Sequence, residues 1–188
     1  MTQQRGILLD EAELHLCENR DDRPASSQID LLVIHSISLP PGEFGGPWIE
    51  DLFMNRLDPD AHPYFREIHK LKVSCHLLIR RDGQLIQYVP LNQRAWHAGI
   101  SNYCGREQCN DFSIGIELEG SDDMPFTDDQ YVTLAQATQT IITHYPAIDK
   151  KRITGHASIA PDRKTDPGPL FDWPRYIASL ESDPSSVV

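Results

Sequence analysis

Apolar and polar positions alternate most cleanly from Phe112 to Leu118, F-S-I-G-I-E-L. A strand there puts Ile114, Ile116 and Leu118 on one face and Ser113, Gly115 and Glu117 on the other. The run Asp30-Leu-Leu-Val-Ile-His35 is apolar enough for a buried strand, with Leu31, Val33 and His35 on one face and the histidine at its C-terminal end. Val73 to Val89 holds two β-rich runs around Asp82-Gly83, a pair suited to a type I′ hairpin turn. In its first strand Val73, Cys75, Leu77 and Ile79 share a face, opposite Ser74, His76, Leu78 and Arg80. A short strand over Arg152 to His156 completes the β-pattern.

Helical spacing is found in three places. Ile49, Leu52, Phe53 and Leu57 predict a short helix over Trp48 to Leu57. Thr127-Asp-Asp-Gln130 has the form of a capping box, and Tyr131, Leu134, Ala135, Thr138, Ile141, Ile142 and Tyr145 make the buried stripe of the helix it opens. Pro146 stops that helix. Asp172 is placed to cap a last helix, with Pro174 in the first turn and Ile177 and Leu180 facing inward. Residues 1–28 are weakly patterned and read as a loop-rich lead-in, Arg94 to Gly105 reads as a loop, and the tail after Glu181 is expected to fray. The pattern makes a single domain over 1–188, with its core about 28–181.

Composition narrows the picture. With 39% hydrophobic and 24% charged residues the chain is a soluble globular protein, not a disordered one. No apolar run is long enough for a membrane span, and acidic residues interrupt the N-terminal stretch where a signal peptide needs an unbroken apolar core. The four cysteines form neither a C-x-x-C motif nor a zinc ribbon and read as reduced thiols of a cytoplasmic protein. A net charge of −11 disfavours nucleic acid and anionic membrane surfaces as partners and leaves a small-molecule substrate.

The chemistry concentrates in Gly155 to Pro169, G-H-A-S-I-A-P-D-R-K-T-D-P-G-P. Pro161, Pro167, Gly168 and Pro169 keep this stretch a shaped loop rather than a helix. Such a loop is either a solvated charged turn or one side of a metal site. Catalytic zinc commonly takes three protein ligands, two histidines and a carboxylate among the known sets. His35 at a strand end, His156 at the loop entrance and Asp166 at its exit would make such a set. A metal hydrolase also needs a base for water and a cation for the developing oxyanion. Glu117 fits the first role, with Glu119 competing on the same face, and Lys164 fits the second. Trp96 and His97, in the loop R-A-W-H-A-G, suit contact with a sugar or peptide. His76 reads as a hydrogen-bonded core histidine.

Longer stretches carry more than spacing does. L-L-V-I-H-S-I-S-L-P-P-G-E-F-G-G-P-W-I, L-D-P-D-A-H-P-Y-F, R-A-W-H-A-G, C-N-D-F-S-I-G-I-E-L-E-G and I-A-P-D-R-K-T-D-P-G-P span roughly residues 30 to 175. They resemble the zinc-dependent N-acetylmuramyl-L-alanine amidases, within them the cytosolic enzymes of cell-wall recycling that act on 1,6-anhydro-muropeptides. The resemblance implies an α/β fold with a central mixed β-sheet flanked by α-helices, related to peptidoglycan-recognition proteins. It implies one zinc ion held by His35, His156 and Asp166, with Glu117 and Lys164 as the catalytic pair, in a monomer. The bond cut would join the lactyl group of anhydro-N-acetylmuramic acid to the L-alanine of the stem peptide. Three positions depart from the family pattern: Ser36 replaces an asparagine, Ala157-Ser158 replaces Cys-Asp, and Gln108 stands where relatives tend to carry arginine. The last leaves Arg106 and Arg163 as anchors for the anionic stem peptide. A non-catalytic muropeptide-binding module and an amidase of polymeric peptidoglycan are the alternatives.

Overall fold

The computed structural model describes residues 6–181, so the tail after Glu181 lies outside it. Its strands are β1 (Glu13–Leu14), β2 (Arg20–Asp21), β3 (Leu31–Ile37), β4 (Leu77–Ile79), β5 (Leu85–Gln87), β6 (Arg94–Ala95), β7 (Asn102–Tyr103), β8 (Arg106–Glu107), β9 (Ser113–Glu119) and β10 (Ile153–Gly155). The helices are α1 (Trp48–Phe53), α2 (Phe65–Ile68), α3 (Asp128–His144), α4 (His156–Ile159) and α5 (Trp173–Ser179). Six strands form the central sheet in the order β1-β5-β4-β9-β3-β10. β4 and β5 are antiparallel and the other neighbours parallel, so the sheet is mixed, as expected.

The two faces differ. Ile114, Ile116 and Leu118 of β9, with Leu32 and Ile34 of β3, pack beneath Tyr131, Leu134, Ala137 and Ile141 of α3 and Tyr176 of α5. The predicted capping box starts α3: Thr127 Oγ1 accepts from Gln130 N at 3.1 Å and Gln130 Oε1 accepts from Thr127 N at 3.1 Å. Gln130 Nε2 also donates to the carbonyls of Ile79 and Glu119, tying the helix to two strands. On the opposite face one apolar cluster gathers α1 and α2 against Leu78, Ile86 and Tyr88. A second joins Leu31, Val33, Phe112 and Ile159. Between these clusters β3 and β9 carry His35 and Glu117 side by side in register.

Several local expectations are corrected. Gly83 has φ +83° while Asp82 has no positive φ, and Gly83 N donates to Arg80 O, so the hairpin turn is a three-residue loop rather than type I′. Thr133 Oγ1 of α3 donates to Gly83 O, holding the helix over that turn. Strand β4 begins only at Leu77, after Tyr88 N donates to His76 O. The alternation therefore breaks at His76: Val73 and Cys75 pack with Leu78, not with Leu77 and Ile79. Helix α1 ends at Phe53 because Asn55 turns to φ +59°. The lead-in joins the core, burying Leu9 and Cys17 and pairing β1 with β5. Within Gly155–Pro169 the first four residues after the glycine do coil, as α4, because the prolines act only from Pro161 onward. Arg94 to Gly105 holds two short strands within its irregular course.

Candidate metal centre and active site

Near its C-terminal end β3 carries His35 facing away from α3, and β10 delivers His156 at the start of α4 beside it. Asp166 returns along the loop, and Ala157 N donates to Asp166 O at 2.9 Å, locking the loop exit to its entrance. The result is a triangle of donor atoms. His35 Nδ1 is 3.0 Å from His156 Nδ1 and 3.2 Å from Asp166 Oδ2, and His156 Nδ1 is 3.1 Å from Asp166 Oδ2. Donors about 2.0–2.2 Å from a tetrahedral zinc stand roughly 3.3 Å apart, close to this spacing. Among the described residues this is the group of histidine, cysteine and carboxylate side chains able to hold a metal ion.

The protonation pattern suits ligation. Burial, reinforced by the charges of His156 and Lys164, pulls the His35 pKa down to about 4 against the pull of Asp166, so the ring is neutral at pH 7. Burial works to raise the Asp166 pKa, but the His156 and His35 rings beside it outweigh burial and hold the carboxylate ionised. Neutral imidazoles and an ionised carboxylate are the forms a metal binds.

Glu117 lies next to the triangle, with Oε1 4.0 Å from His35 Nδ1. Its Oε2 is buried with no hydrogen-bond partner. Burial first, and the Asp166 charge second, push its carboxyl pKa well above the usual range, while Lys164 opposes them. Glu119 is the contrasting case. Arg80 Nη1 donates to its Oε1 at 3.1 Å, and the backbone N–H groups of Gly45 and Arg81 complete its shell. Of the two competing carboxylates, Glu117 is the one with an oxygen left without a partner.

Glu117, His156 and Asp166 line a cleft of about 330 Å³ together with Lys164. One wall is apolar, from Leu52, Phe53, Tyr64 and Ile68; the polar side carries Ser36, Trp96, Glu117, His156, Lys164 and Asp166. Lys164 is exposed and forms no ion pair among the described residues. Asp162 stands apart, lining a second hollow of about 480 Å³ with Gly99, Ile100, Gln108 and Arg163.

The remaining sequence candidates are placed differently. His97 lines the cleft, but both ring nitrogens are engaged internally, with His35 Nε2 at 2.8 Å and Ser113 Oγ at 3.1 Å. Arg106 pairs with Asp30 at 2.7 Å and stacks over Phe112, outside the cleft lining. Arg163 Nη2 donates to the carbonyls of Ala98 and Ile100, bracing a loop. His76 is fully buried and accepts from Gly115 N, as a core histidine. Sequence reasoning missed Ser113 and Asn110. Ser113 shares the face of Glu117, a period-two signal, while nothing in the pattern marks Asn110.

Hydrolysis is the chemistry that needs this combination of a metal-donor triangle, an unpaired carboxyl group and a free ammonium in one cleft. A family model described as N-acetylmuramoyl-L-alanine amidase matches residues 25–169. The chain is 65% identical over 158 residues, 84% of each sequence, to the 1,6-anhydro-N-acetylmuramyl-L-alanine amidase AmpD of Salmonella typhimurium strain SL1344. A crystal structure of a selenomethionine AmpD derivative superposes with a TM-score of 0.90 at 59% identity, covering 92% of this chain and 96% of the other. The Escherichia coli amidase AmiD, complexed with anhydro-N-acetylmuramic acid-L-Ala-D-γ-Glu-L-Lys, gives a TM-score of 0.59 at 31% identity over 84% of this chain and 60% of the other. The chain belongs to the N-acetylmuramoyl-L-alanine amidase family and is an amidase.

Proposed function

We propose that this amidase uses one zinc ion to hydrolyse the amide between the lactyl group of 1,6-anhydro-N-acetylmuramic acid and the L-alanine of the stem peptide. The reaction belongs to cytoplasmic muropeptide recycling, with the protein acting as a monomer. The observation that carries the reading is the donor triangle of His35, His156 and Asp166 with the unpartnered Glu117 Oε2 beside it. The names of the Salmonella relative and of the AmiD complex support the substrate.

When bound, zinc supplies a Lewis acid that brings the pKa of water to about 7 and polarises a carbonyl. Positive charge at the triangle also favours the Glu117 carboxylate, against the burial that raises its pKa. Glu117 Oε2 takes a proton from the attacking water and returns it to the leaving amine. Lys164 Nζ offsets the negative charge that develops on the carbonyl oxygen. The apolar wall at Leu52, Phe53 and Tyr64 excludes water from one side of the cleft, and Trp96 offers a flat surface to the sugar or peptide.

The deciding experiment gives purified protein, before and after chelation, either the anhydro-muropeptide or intact sacculi and follows products by mass. Release of anhydro-N-acetylmuramic acid and free peptide, lost on chelation and restored by zinc, is expected. Cleavage that survives complete zinc removal overturns the metal mechanism, and cleavage of sacculi alone overturns the substrate. His156→Ala loses zinc and turnover together.

A further inference from the structure

The loop from Trp96 to Gly99 reaches both histidines of the triangle from behind. His35 Nε2 lies 2.8 Å from His97 Nδ1, His97 Nε2 lies 3.1 Å from Ser113 Oγ, and Ser113 Oγ lies 2.5 Å from the carbonyl oxygen of Cys109. A carbonyl can only accept, so the chain of donors runs one way. Ser113 donates to Cys109 O, His97 Nε2–H donates to Ser113 Oγ, and His35 Nε2–H donates to His97 Nδ1. That order leaves the lone pair of His35 on Nδ1, the atom in the donor triangle.

The next residue of the same loop does this for the second histidine. His156 Nε2 donates to Ala98 O at 3.2 Å, which leaves its Nδ1 as the free donor. The loop is held in place for the task. Asn110 Oδ1 accepts from the N–H groups of His97 and Ala98 at 3.1 and 2.8 Å, and Arg163 Nη2 donates to Ala98 O at 2.7 Å. Gly115 gives the His97 ring its room: a Cβ there would stand 2.5 Å from both Cγ and Nδ1 of that ring.

We propose that His97 is a positioning residue and that the loop Trp96–Gly99 orients both zinc-binding histidines, setting their tautomers and thereby the metal affinity. The proposal rests on the zinc reading above. Groups that orient metal-binding histidines are typically worth about 10- to 100-fold in affinity, and His97→Ala is expected to weaken zinc binding by that factor. Gly115→Ala, which removes no hydrogen-bonding group but displaces the ring, is expected to act in the same direction.

The test measures zinc dissociation constants by chelator competition, with thermal unfolding of the zinc-free proteins recorded in parallel. His97→Asn keeps an acceptor near the Nδ1 position and is expected to recover most of the affinity. His97→Gln reaches the Nε2 position instead and is expected not to. Zinc affinities for His97→Ala and Gly115→Ala both within about 2-fold of the starting protein, far below the usual effect of such groups, overturn the proposal. Equal affinities for the asparagine and glutamine variants overturn it too, since a purely structural role does not distinguish them. Should His97→Ala not fold, the ordering of the other three variants decides. A starting protein that binds no zinc instead overturns the metal reading itself.

Discussion

The two faces of β9 put one strand to opposite uses. Ile114, Ile116 and Leu118 are fully buried against α3, each contributing roughly 1.5–3 kcal/mol of burial free energy. Ser113, Gly115, Glu117 and Glu119 are also buried but on the opposite face, where burial costs free energy unless a partner offsets it. The polar face divides again. Glu119 has Arg80 and two backbone donors; Glu117 has one oxygen without a partner. A carboxyl left unpaired in a buried position is a cost that the apolar face must outweigh, and the proposed general-base role gives it a purpose. Stability and chemistry thus sit on adjacent residues, pointing opposite ways.

Glu117→Gln breaks this comparison hardest. Turnover is expected to fall by about 10²- to 10⁴-fold, the usual worth of a general acid–base group. Zinc content should be unchanged by metal analysis. The raised Glu117 pKa means that the folded protein holds a proton that the unfolded chain releases as pH rises above the ordinary carboxyl value. The stability cost therefore grows with pH through that window, and the metal-free Gln variant should be the more stable protein at neutral pH. A variant that stays fully active removes Glu117 as the base.

On the other face, Leu134→Ala should cost about 2–5 kcal/mol in urea unfolding, as a fully buried leucine leaves a cavity. Its kcat should be unchanged where the protein remains folded; a selective loss of kcat would mean that the two faces are not separable. Glu119→Gln should behave like an apolar-face change despite lying two residues from the base. It leaves Arg80 without its carboxylate, and about 3 kcal/mol of stability should go, with kcat kept. If activity fell while stability held, Glu119 would belong to the chemistry instead.

The smallest effect is expected outside the cleft lining, at His15. Its ring sits between Glu13 and Glu50, each at 2.8 Å. Partial burial works to lower its pKa, but hydrogen bonds to Glu13 and Glu50 prevail and raise it. A raised histidine pKa contributes stability below the ordinary value that is lost as pH rises through the folded value. His15→Gln should therefore lower the melting temperature slightly in mildly acidic buffer and not at all in alkaline buffer. A constant difference across pH would show that packing, not charge, is what the ring supplies.

Elements governed by neighbouring residues were readable in advance. The alternation of β9, the apolar run of β3 and the Thr127–Gln130 capping box depend on spacing and local hydrogen bonds, and they formed as expected. The breaks fell where distant parts intervene. His76 stops the β4 alternation because Tyr88 donates to its carbonyl, and Leu9 and Cys17 are buried because β1 docks on β5. The arginines expected to anchor the substrate show the same limit: Arg106 and Arg163 look free in one dimension, yet they meet Asp30 and the Ala98 carbonyl in three.

By itself the sequence determined which side of each main strand is apolar, where α3 begins, and that His35, Glu117, His156, Lys164 and Asp166 carry chemistry-bearing groups. Periodicity is a local property, and residue types are printed on the chain. Only the tertiary structure decided that Glu117 rather than Glu119 is unpaired, that three donor atoms from β3, α4 and the loop after it close to 3.0–3.2 Å, and that His97 lies 2.8 Å from His35. Most of those partners arrive from 38 to 131 residues away, and no spacing along the chain encodes that arrival.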